Sequence, residues 1–179
     1  MSALGITKRV LAPAFIGVVG AVIGFNEGYS TSAYLDSAGV PTVCYGSTTG
    51  VKYPSTVTDT ECTARLKSDL ESHLRALDKL PSDLPDSVVL GSVDFAYNIG
   101  VSGFRNSSVH TALLNKNYEL AAKNVLKWKY ITVDGKKYDC SVKNNTVCYG
   151  LWKRRVWQSK AIGNYYNTLQ EAKEALING

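Results

Sequence analysis

One long amphipathic helix divides this chain of 179 residues into two unequal parts. The helix begins at Thr58–Glu61, because a threonine followed three residues later by a glutamate forms the capping box that marks a helix start. Its apolar residues then recur at helical spacing: Cys62, Leu66, Leu70, Leu74 and Leu77. Strand-like sequence precedes the helix and helical patterns follow it. The chain is therefore predicted to be α+β, with a small β lobe at about 30–57 and a larger helical lobe at about 80–179.

A β-hairpin is predicted before this helix, within TSAYLDSAGVPTVCYGSTTG. The stretch contains a short strand, a Ser-Ala-Gly turn and a second strand, which is the pattern of two strands joined by a short loop. This arrangement places Asp36 and Thr42 on a hairpin, shortly after the segment that bears Glu27.

Helices are predicted for most of the second part. Asp86 is expected to cap a helix that ends at Gly100, and Ser107 or Ser108 to cap the next one. Further helical patterns cover residues 118–128, 151–162 and 168–177. Five aromatic side chains could stack on sugars: Phe95, Tyr97, Trp128, Trp152 and Trp157. Aromatic residues at helical spacing belong more often to the core.

Glu27 and Asp36 are carboxylates of the kind that glycoside hydrolysis requires. One carboxylic acid must protonate the leaving oxygen, and a second carboxylate must activate water or attack carbon. Glu27 follows the apolar run AVIGF, so desolvation favours its protonated form, whereas Asp36 enters a turn and is expected to be ionised. Taken alone, such a pair is more often structural, as a helix-end residue and a turn residue.

The chain resembles the T-even phage-type lysozymes, or endolysins, which are glycoside hydrolases. In their first motif, eight residues separate a Glu from an Asp and five separate that Asp from a Thr. The matching residues here are Glu27, Gly28, Ala33, Tyr34, Asp36, Gly39, Thr42 and Gly46. A second motif matches at Phe95, Asn98, Gly100, Phe104, Ser107 and Leu114, and a third in GLWKRR at 150–155. The resemblance covers roughly residues 25–163.

The resemblance implies a lysozyme-like fold, with the long helix joining the lobes, and an endolysin that lyses its bacterial host. It implies hydrolysis of the β-1,4 bond between N-acetylmuramic acid and N-acetylglucosamine in peptidoglycan, with Glu27 as general acid and Asp36 and Thr42 positioning the attacking water. Inversion would follow, although the residues alone leave inversion and retention open. Asn98 and Arg155 are further candidates, for binding substrate or supporting the fold. No cofactor or metal is expected, and the protein is expected to be a monomer.

Two features depart from the family pattern. Ser47 stands where family members often carry a histidine, which puts in doubt any contact that the histidine would make. The segment between Lys129 and Tyr149 is longer and more polar than usual, so the alignment with the family is unreliable there.

The net charge of +5 and the isoelectric point near 9.0 predict attraction to a polyanion. Peptidoglycan with its anionic stem peptides meets that description as well as nucleic acid does, but no nucleic-acid-binding motif is present. Two alternative functions remain open at this stage: a wall-binding module without catalysis, and a membrane-active lysis protein. The first is disfavoured by the intact set of Glu27, Asp36 and Thr42, and the second by the globular character of the rest of the chain.

An uncharged run at residues 10–25 follows Lys8 and Arg9. As a helix it would extend roughly 24 Å, which is marginal for spanning a bilayer. Three interpretations compete for residues 1–25: a cleaved signal peptide, a weak membrane anchor, and a buried first helix of the domain at 26–179.

Some endolysins that resemble this chain carry such a run as a signal-arrest-release segment. Its small residues favour exit from a bilayer and close helix packing alike: Gly17, Gly20, Ala21 and Gly24. An anchored protein would occupy the host inner membrane and then the periplasm. A buried helix would instead leave the protein in the host cytoplasm until release.

The four cysteines are consistent with an oxidising compartment. Cys140 could pair with Cys148 across a small loop, and Cys44 could reach Cys62, but three pairings are possible. Free buried cysteines are an alternative. A zinc site is disfavoured, because there is no Cys-x-x-Cys and both histidines are far from the cysteines in sequence.

Overall fold

The structure is a computed structural model that describes residues 4–36, 39–143 and 145–179. The α+β class predicted from the sequence is confirmed. In chain order, the elements are α1 (Leu4–Val10), α2 (Pro13–Glu27), β1 (Ser30–Leu35), β2 (Pro41–Cys44), α3 (Asp59–Leu74) with a 3₁₀ turn (Arg75–Leu77), α4 (Asp86–Ile99), α5 (Val101–Arg105), α6 (Ser108–Leu114), α7 (Tyr118–Val125), β3 (Tyr130–Val133), β4 (Lys136–Asp139), α8 (Tyr149–Ile162) and α9 (Leu169–Ile177).

The small lobe is built on the predicted hairpin. β1 and β2 are antiparallel, with Tyr34 opposite Thr42, and the register shifts near the start of β1. Two residues of the predicted turn, Ser37 and Ala38, lie outside the described residues. Asp36 and Thr42 lie toward the turn of this hairpin, at the end distant from the α2–β1 connection.

Helix α3 joins the lobes and begins at the predicted capping box. The Thr58 hydroxyl accepts a hydrogen bond from the Glu61 amide at 3.2 Å, and the Glu61 carboxylate accepts one from the Thr58 amide at 2.8 Å. A disulfide between Cys44 and Cys62 fastens the hairpin to this helix. A second disulfide joins Cys140 and Cys148, so the expected disulfide bonding is confirmed, and this is the pairing found among the three possible ones.

The core of the helical lobe surrounds α4, whose residues 87–96 are all buried. Helix α8 packs along α4, and α2 lies against α4 and α9. The N-terminal run thus contributes to this core through the buried residues of α2: Phe15, Val19, Gly20, Val22 and Ile23. Among the described residues, no helix combines the length and apolar character needed to cross a bilayer.

Two predicted helix boundaries were wrong, and one hairpin was missed. Pro85, not Asp86, occupies the N-cap position of α4, because its ring holds the backbone extended just before the helix. Helix α7 ends at Val125, three residues before Trp128. The hairpin β3–β4, at 130–139, was not predicted at all; β3 (Tyr-Ile-Thr-Val) has the composition of a strand, but its partner β4 (Lys-Lys-Tyr-Asp) does not, and each has only four residues.

One buried histidine makes the stability of this fold depend on pH. His110 in α6 is 6% exposed, its ring lies edge-on to Phe104, and its Nε2 atom has no hydrogen-bond partner among the described residues. Burial, together with the positive charges of Arg105 and Lys79, lowers the pKa of His110. The folded protein therefore holds this side chain neutral at a pH where the unfolded chain protonates it.

We expect the free energy of unfolding to fall as the pH decreases below about 6.5, because the unfolded state then binds the additional proton. A single histidine contributes at most about 1.4 kcal/mol per pH unit. Urea denaturation at about pH 7.5 and about pH 5.5 measures the effect. His110→Gln should remove this component, while the matched variant His73→Gln should retain it. Equal pH dependence in the parent and His110→Gln would contradict the assignment.

Candidate active site

Glu27 is the last residue of α2, at the junction of the two lobes. Gly28 follows it with a φ of 88°, a conformation that glycine adopts without strain, and its amide donates to the Gly24 carbonyl at 3.0 Å. The chain can therefore leave the helix sharply and enter β1 at Ser30. The Glu27 side chain is 30% exposed, so it is accessible from solvent while one oxygen faces the protein.

Asp36 and Thr42 are brought together on the hairpin. One Asp36 carboxylate oxygen accepts from the Val40 amide at 2.9 Å, and the backbone amide of Asp36 donates to the Val40 carbonyl at 3.0 Å. The Thr42 hydroxyl donates to the same carbonyl at 3.0 Å. Thr42 is buried, with 4% exposure, and Asp36 is half-buried. The predicted pair thus shares one anchor, the backbone of Val40.

A buried arginine holds Glu27. Arg154 in α8 donates from Nη1 to Glu27 Oε1 at 2.6 Å. The same guanidinium donates two hydrogen bonds to the Asp94 carboxylate of α4, from Nε at 3.0 Å and from Nη2 at 2.8 Å. Asp94 is 1% exposed and also accepts from Gln158 and Asn26. Arg154 therefore links Glu27 to the centre of the helical lobe.

Charge balance keeps this arginine ionised. Burial by itself lowers the pKa of Arg154, but the carboxylates of Asp94 and Glu27 outweigh that effect and the pKa lies above its usual value. Burial, followed by the negative charges of Asp69 and Glu27, raises the pKa of Tyr97 to about 12. The Tyr97 hydroxyl therefore remains a proton donor, and it donates to the Tyr45 carbonyl at 3.3 Å.

Arg155 and Asn98, the weaker candidates, contact each other. Arg155 donates from Nη2 to Asn98 Oδ1 at 2.6 Å, from Nη1 to Gln158 at 2.6 Å and from Nε to the Trp128 carbonyl at 2.9 Å. Burial and the neighbouring charge of Arg154 lower the pKa of Arg155 to about 10. With 3% exposure, Arg155 supports the fold in this structure. Asn98 is exposed beside it, so a substrate contact by Asn98 stays a prediction.

The hairpin lobe rests on the glycine face of α2. A Cβ atom added at Gly24 would lie 3.0 Å from the Tyr45 ring, and one added at Gly20 would lie 3.1 Å from Leu66. Gly17, by contrast, has no atom within 4 Å of that position. Two of the three glycines therefore permit close packing, and Gly17 does not serve that purpose.

Ser47 stands where family members often carry a histidine. Its hydroxyl donates to the Asp69 carboxylate of α3 at 2.5 Å, which gives a further attachment of the hairpin lobe to that helix beside the Cys44–Cys62 disulfide. Within the ranges that the structure describes, no group of three or more His, Cys, Asp or Glu side chains is arranged to hold a metal ion.

Arg154 and Asp94 are the residues of this site that the sequence did not single out. The third family motif contains two adjacent arginines, and the prediction chose Arg155, the second one. Successive residues of a helix point in different directions, and in α8 it is Arg154, not Arg155, that points to Glu27. The buried acid at position 94, in a helix with an apolar face, is the signal that could have indicated a buried cationic partner.

The chain matches the family described as Phage lysozyme over residues 25–138. It is 32% identical over 133 residues to the SAR-endolysin of Pseudomonas phage phiKMV, covering 71% of this chain and 76% of that protein. The SAR-endolysin of Bacteriophage PS34 is 32% identical over 106 residues, which is 58% of this chain. The chain spans only 64% of the length of the PS34 protein.

The solved structures agree with these sequence matches. The endolysin from the Escherichia coli phage FAHEc1 superposes with a TM-score of 0.70 at 26% identity, covering 84% of this chain and 93% of the other. The resemblance to lysozymes inferred from three motifs is confirmed. The chain belongs to the phage lysozyme family, a family of glycoside hydrolases.

Proposed function

We propose that the protein is an endolysin that hydrolyses the β-1,4 bond between N-acetylmuramic acid and N-acetylglucosamine in peptidoglycan. The observation that carries the proposal is the position of Glu27, which is fixed by Arg154 at the lobe junction next to the hairpin that bears Asp36 and Thr42. Family membership supports the same chemistry.

Glu27 is the proposed general acid. Its Oε1 atom accepts from Arg154, whose guanidinium is held in turn by the fully buried carboxylate of Asp94. Glu27 is thereby fixed at the lobe junction, where it is proposed to deliver the proton that the leaving oxygen requires.

Asp36 and Thr42 are proposed to position the attacking water. The Thr42 hydrogen is committed to the Val40 carbonyl, so the hydroxyl oxygen offers only lone pairs to a water molecule. The Asp36 carboxylate is also an acceptor. A water that donates one hydrogen to each of them directs its own lone pair at the anomeric carbon. Attack by water on the face opposite the leaving group gives inversion.

The N-terminal segment is proposed to associate transiently with the host inner membrane before α2 joins the core, after which the protein acts in the periplasm. Two relatives described above are named SAR-endolysins, a name that refers to release of such a segment. The two disulfides suit an oxidising compartment. On this proposal, residues 1–25 are first a weak anchor and then part of the lysozyme domain.

Replacing the acid is the direct test of the mechanism. Glu27→Gln retains the shape and the hydrogen bond to Arg154 but carries no transferable proton, so release of reducing ends from purified peptidoglycan should fall by about 10³-fold. Glu174→Gln, at an exposed position in α9, is the matched control and should match the parent. NMR of the first product formed by the parent should show the inverted anomer. Equal release by Glu27→Gln and the parent would refute the mechanism.

Removing the charge of Asp94 should lower the stability of the fold. In Asp94→Asn the Arg154 guanidinium loses its buried counter-charge, at a cost of about 3 kcal/mol in the free energy of unfolding. Asp78→Asn breaks the exposed contact with Arg105 and should cost under about 1 kcal/mol. Urea denaturation of the two variants and the parent measures both losses. Equal losses in Asp94→Asn and Asp78→Asn would contradict the role of the buried pair.

Leucine substitutions can separate the membrane role of α2 from its packing role. Gly17→Leu and Gly24→Leu raise the apolar character of residues 10–25 equally, and each should increase the membrane-bound fraction of the protein. In the fold, only Gly24→Leu collides with Tyr45, so only that variant should be poorly active after purification. Gly17→Ser is the matched control. If Gly17→Leu fractionated like the parent, membrane association through this segment would be rejected.

A further inference from the structure

The β3–β4 hairpin lies in a segment with a surplus of positive charge. Residues 127–143 contain five lysines and two aspartates, so they contribute +3, and the whole chain carries +5. Two of these lysines, Lys136 and Lys137, are adjacent in β4.

Two of its lysines are held in place without being neutralised. Lys137 Nζ lies 4.3 Å from the centre of the Tyr130 ring, and Lys136 Nζ lies 5.1 Å from that of Tyr138. Such contacts orient an ammonium group over a ring but do not cancel its charge. Within the described part of the chain, neither lysine has a carboxylate within salt-bridge distance.

The neighbouring carboxylate is already engaged. Asp139 binds Lys129 at 2.9 Å and accepts from the Ser141 hydroxyl and amide. The hydrogen bonds from Lys129 and Ser141 lower the pKa of Asp139 to about 2, so it remains ionised and paired with Lys129. The charges of Lys136 and Lys137 are thus left for a partner outside the chain.

The hairpin is stiffened at its base and exposed above it. The Cys140–Cys148 disulfide closes the base, where the Cys140 amide donates to the Lys129 carbonyl at 2.8 Å. Tyr130 is 47% exposed, and Val133 is 40% exposed. A two-stranded hairpin without its own core is marginal in water, so these attachments keep the lysines and rings in a fixed arrangement.

The base of the hairpin is attached to α8. The Trp128 carbonyl, just before β3, accepts from Arg155, which also donates to the exposed Asn98. Arg154 of the same helix binds Glu27. One helix therefore anchors both the hairpin and the proposed acid.

We propose that the β3–β4 hairpin binds the carboxylates of peptidoglycan stem peptides through Lys136 and Lys137. The assignment rests on the proposed function, in which peptidoglycan is the substrate. A stem peptide suits the surface because it is short, anionic and flexible enough to lie across ring faces between two ammonium groups. A membrane surface suits it less, because the tip of the hairpin is Asp134-Gly135, which would bring a negative charge to anionic lipid.

Binding to insoluble peptidoglycan sacculi, measured by co-sedimentation in the Glu27→Gln background, tests the proposal without digestion of the substrate. Lys136→Gln/Lys137→Gln should bind about fivefold to tenfold more weakly, from the loss of two exposed ion pairs. Lys136→Arg/Lys137→Arg should bind like the parent. Lys67→Gln/Lys173→Gln has the same net charge as the glutamine variant and should also bind like the parent, since it alters lysines outside the hairpin.

Sacculi whose free carboxylates have been converted to amides identify the partner. On them the difference between the parent and Lys136→Gln/Lys137→Gln should disappear. Equal binding of both proteins to untreated sacculi would overturn the proposal, as would a difference that persists after amidation. A hairpin-dependent affinity for phosphatidylglycerol vesicles with none for sacculi would assign the surface to the membrane instead. Failure of the hydrolase proposal is distinguishable, because it shows as absent reducing-end release by the parent whatever the binding result.

Discussion

The buried guanidinium of Arg154 joins α4, α8 and the end of α2, which are far apart in sequence. An unpaired arginine in the interior would cost several kcal/mol, so α8 can pack on α4 only when Asp94 is there to meet it. Once that pair is formed, the remaining donor of Arg154 points to the lobe junction and fixes Glu27. The position of the proposed acid is thus a consequence of how the helical lobe packs.

Local signals in the sequence were sufficient for the elements near the site. The capping box at Thr58 and the turn after Asp36 act within a few residues, so their patterns can be read directly. The Arg154–Asp94 pair spans 60 residues and leaves no local pattern. Which of two adjacent arginines faces Glu27 depends on the rotation of α8 about its axis, and packing against α4 decides that rotation.

The second hairpin shows a different limit of sequence reading. β3, Tyr-Ile-Thr-Val, has strand-favouring residues, but β4, Lys-Lys-Tyr-Asp, is polar, and strands of four residues are too short to show a clear hydrophobic period. The readable signal was the Asp134-Gly135 turn, where both residues adopt positive φ as a tight hairpin requires. Cross-strand contacts between lysines and tyrosine rings, together with a disulfide, replace the missing core.

The distance between the lobes also has a physical origin. The Tyr45 ring lies on α2 at Gly24, and the Tyr97 hydroxyl bonds to the Tyr45 backbone, so the hairpin lobe approaches α2 as closely as a bare glycine surface allows. An inverting mechanism needs room for one water between the carboxylate and the sugar, and it fails if the gap closes or widens. The glycines that would ease the exit of α2 from a bilayer therefore also set how closely Tyr45 and the hairpin lobe approach α2.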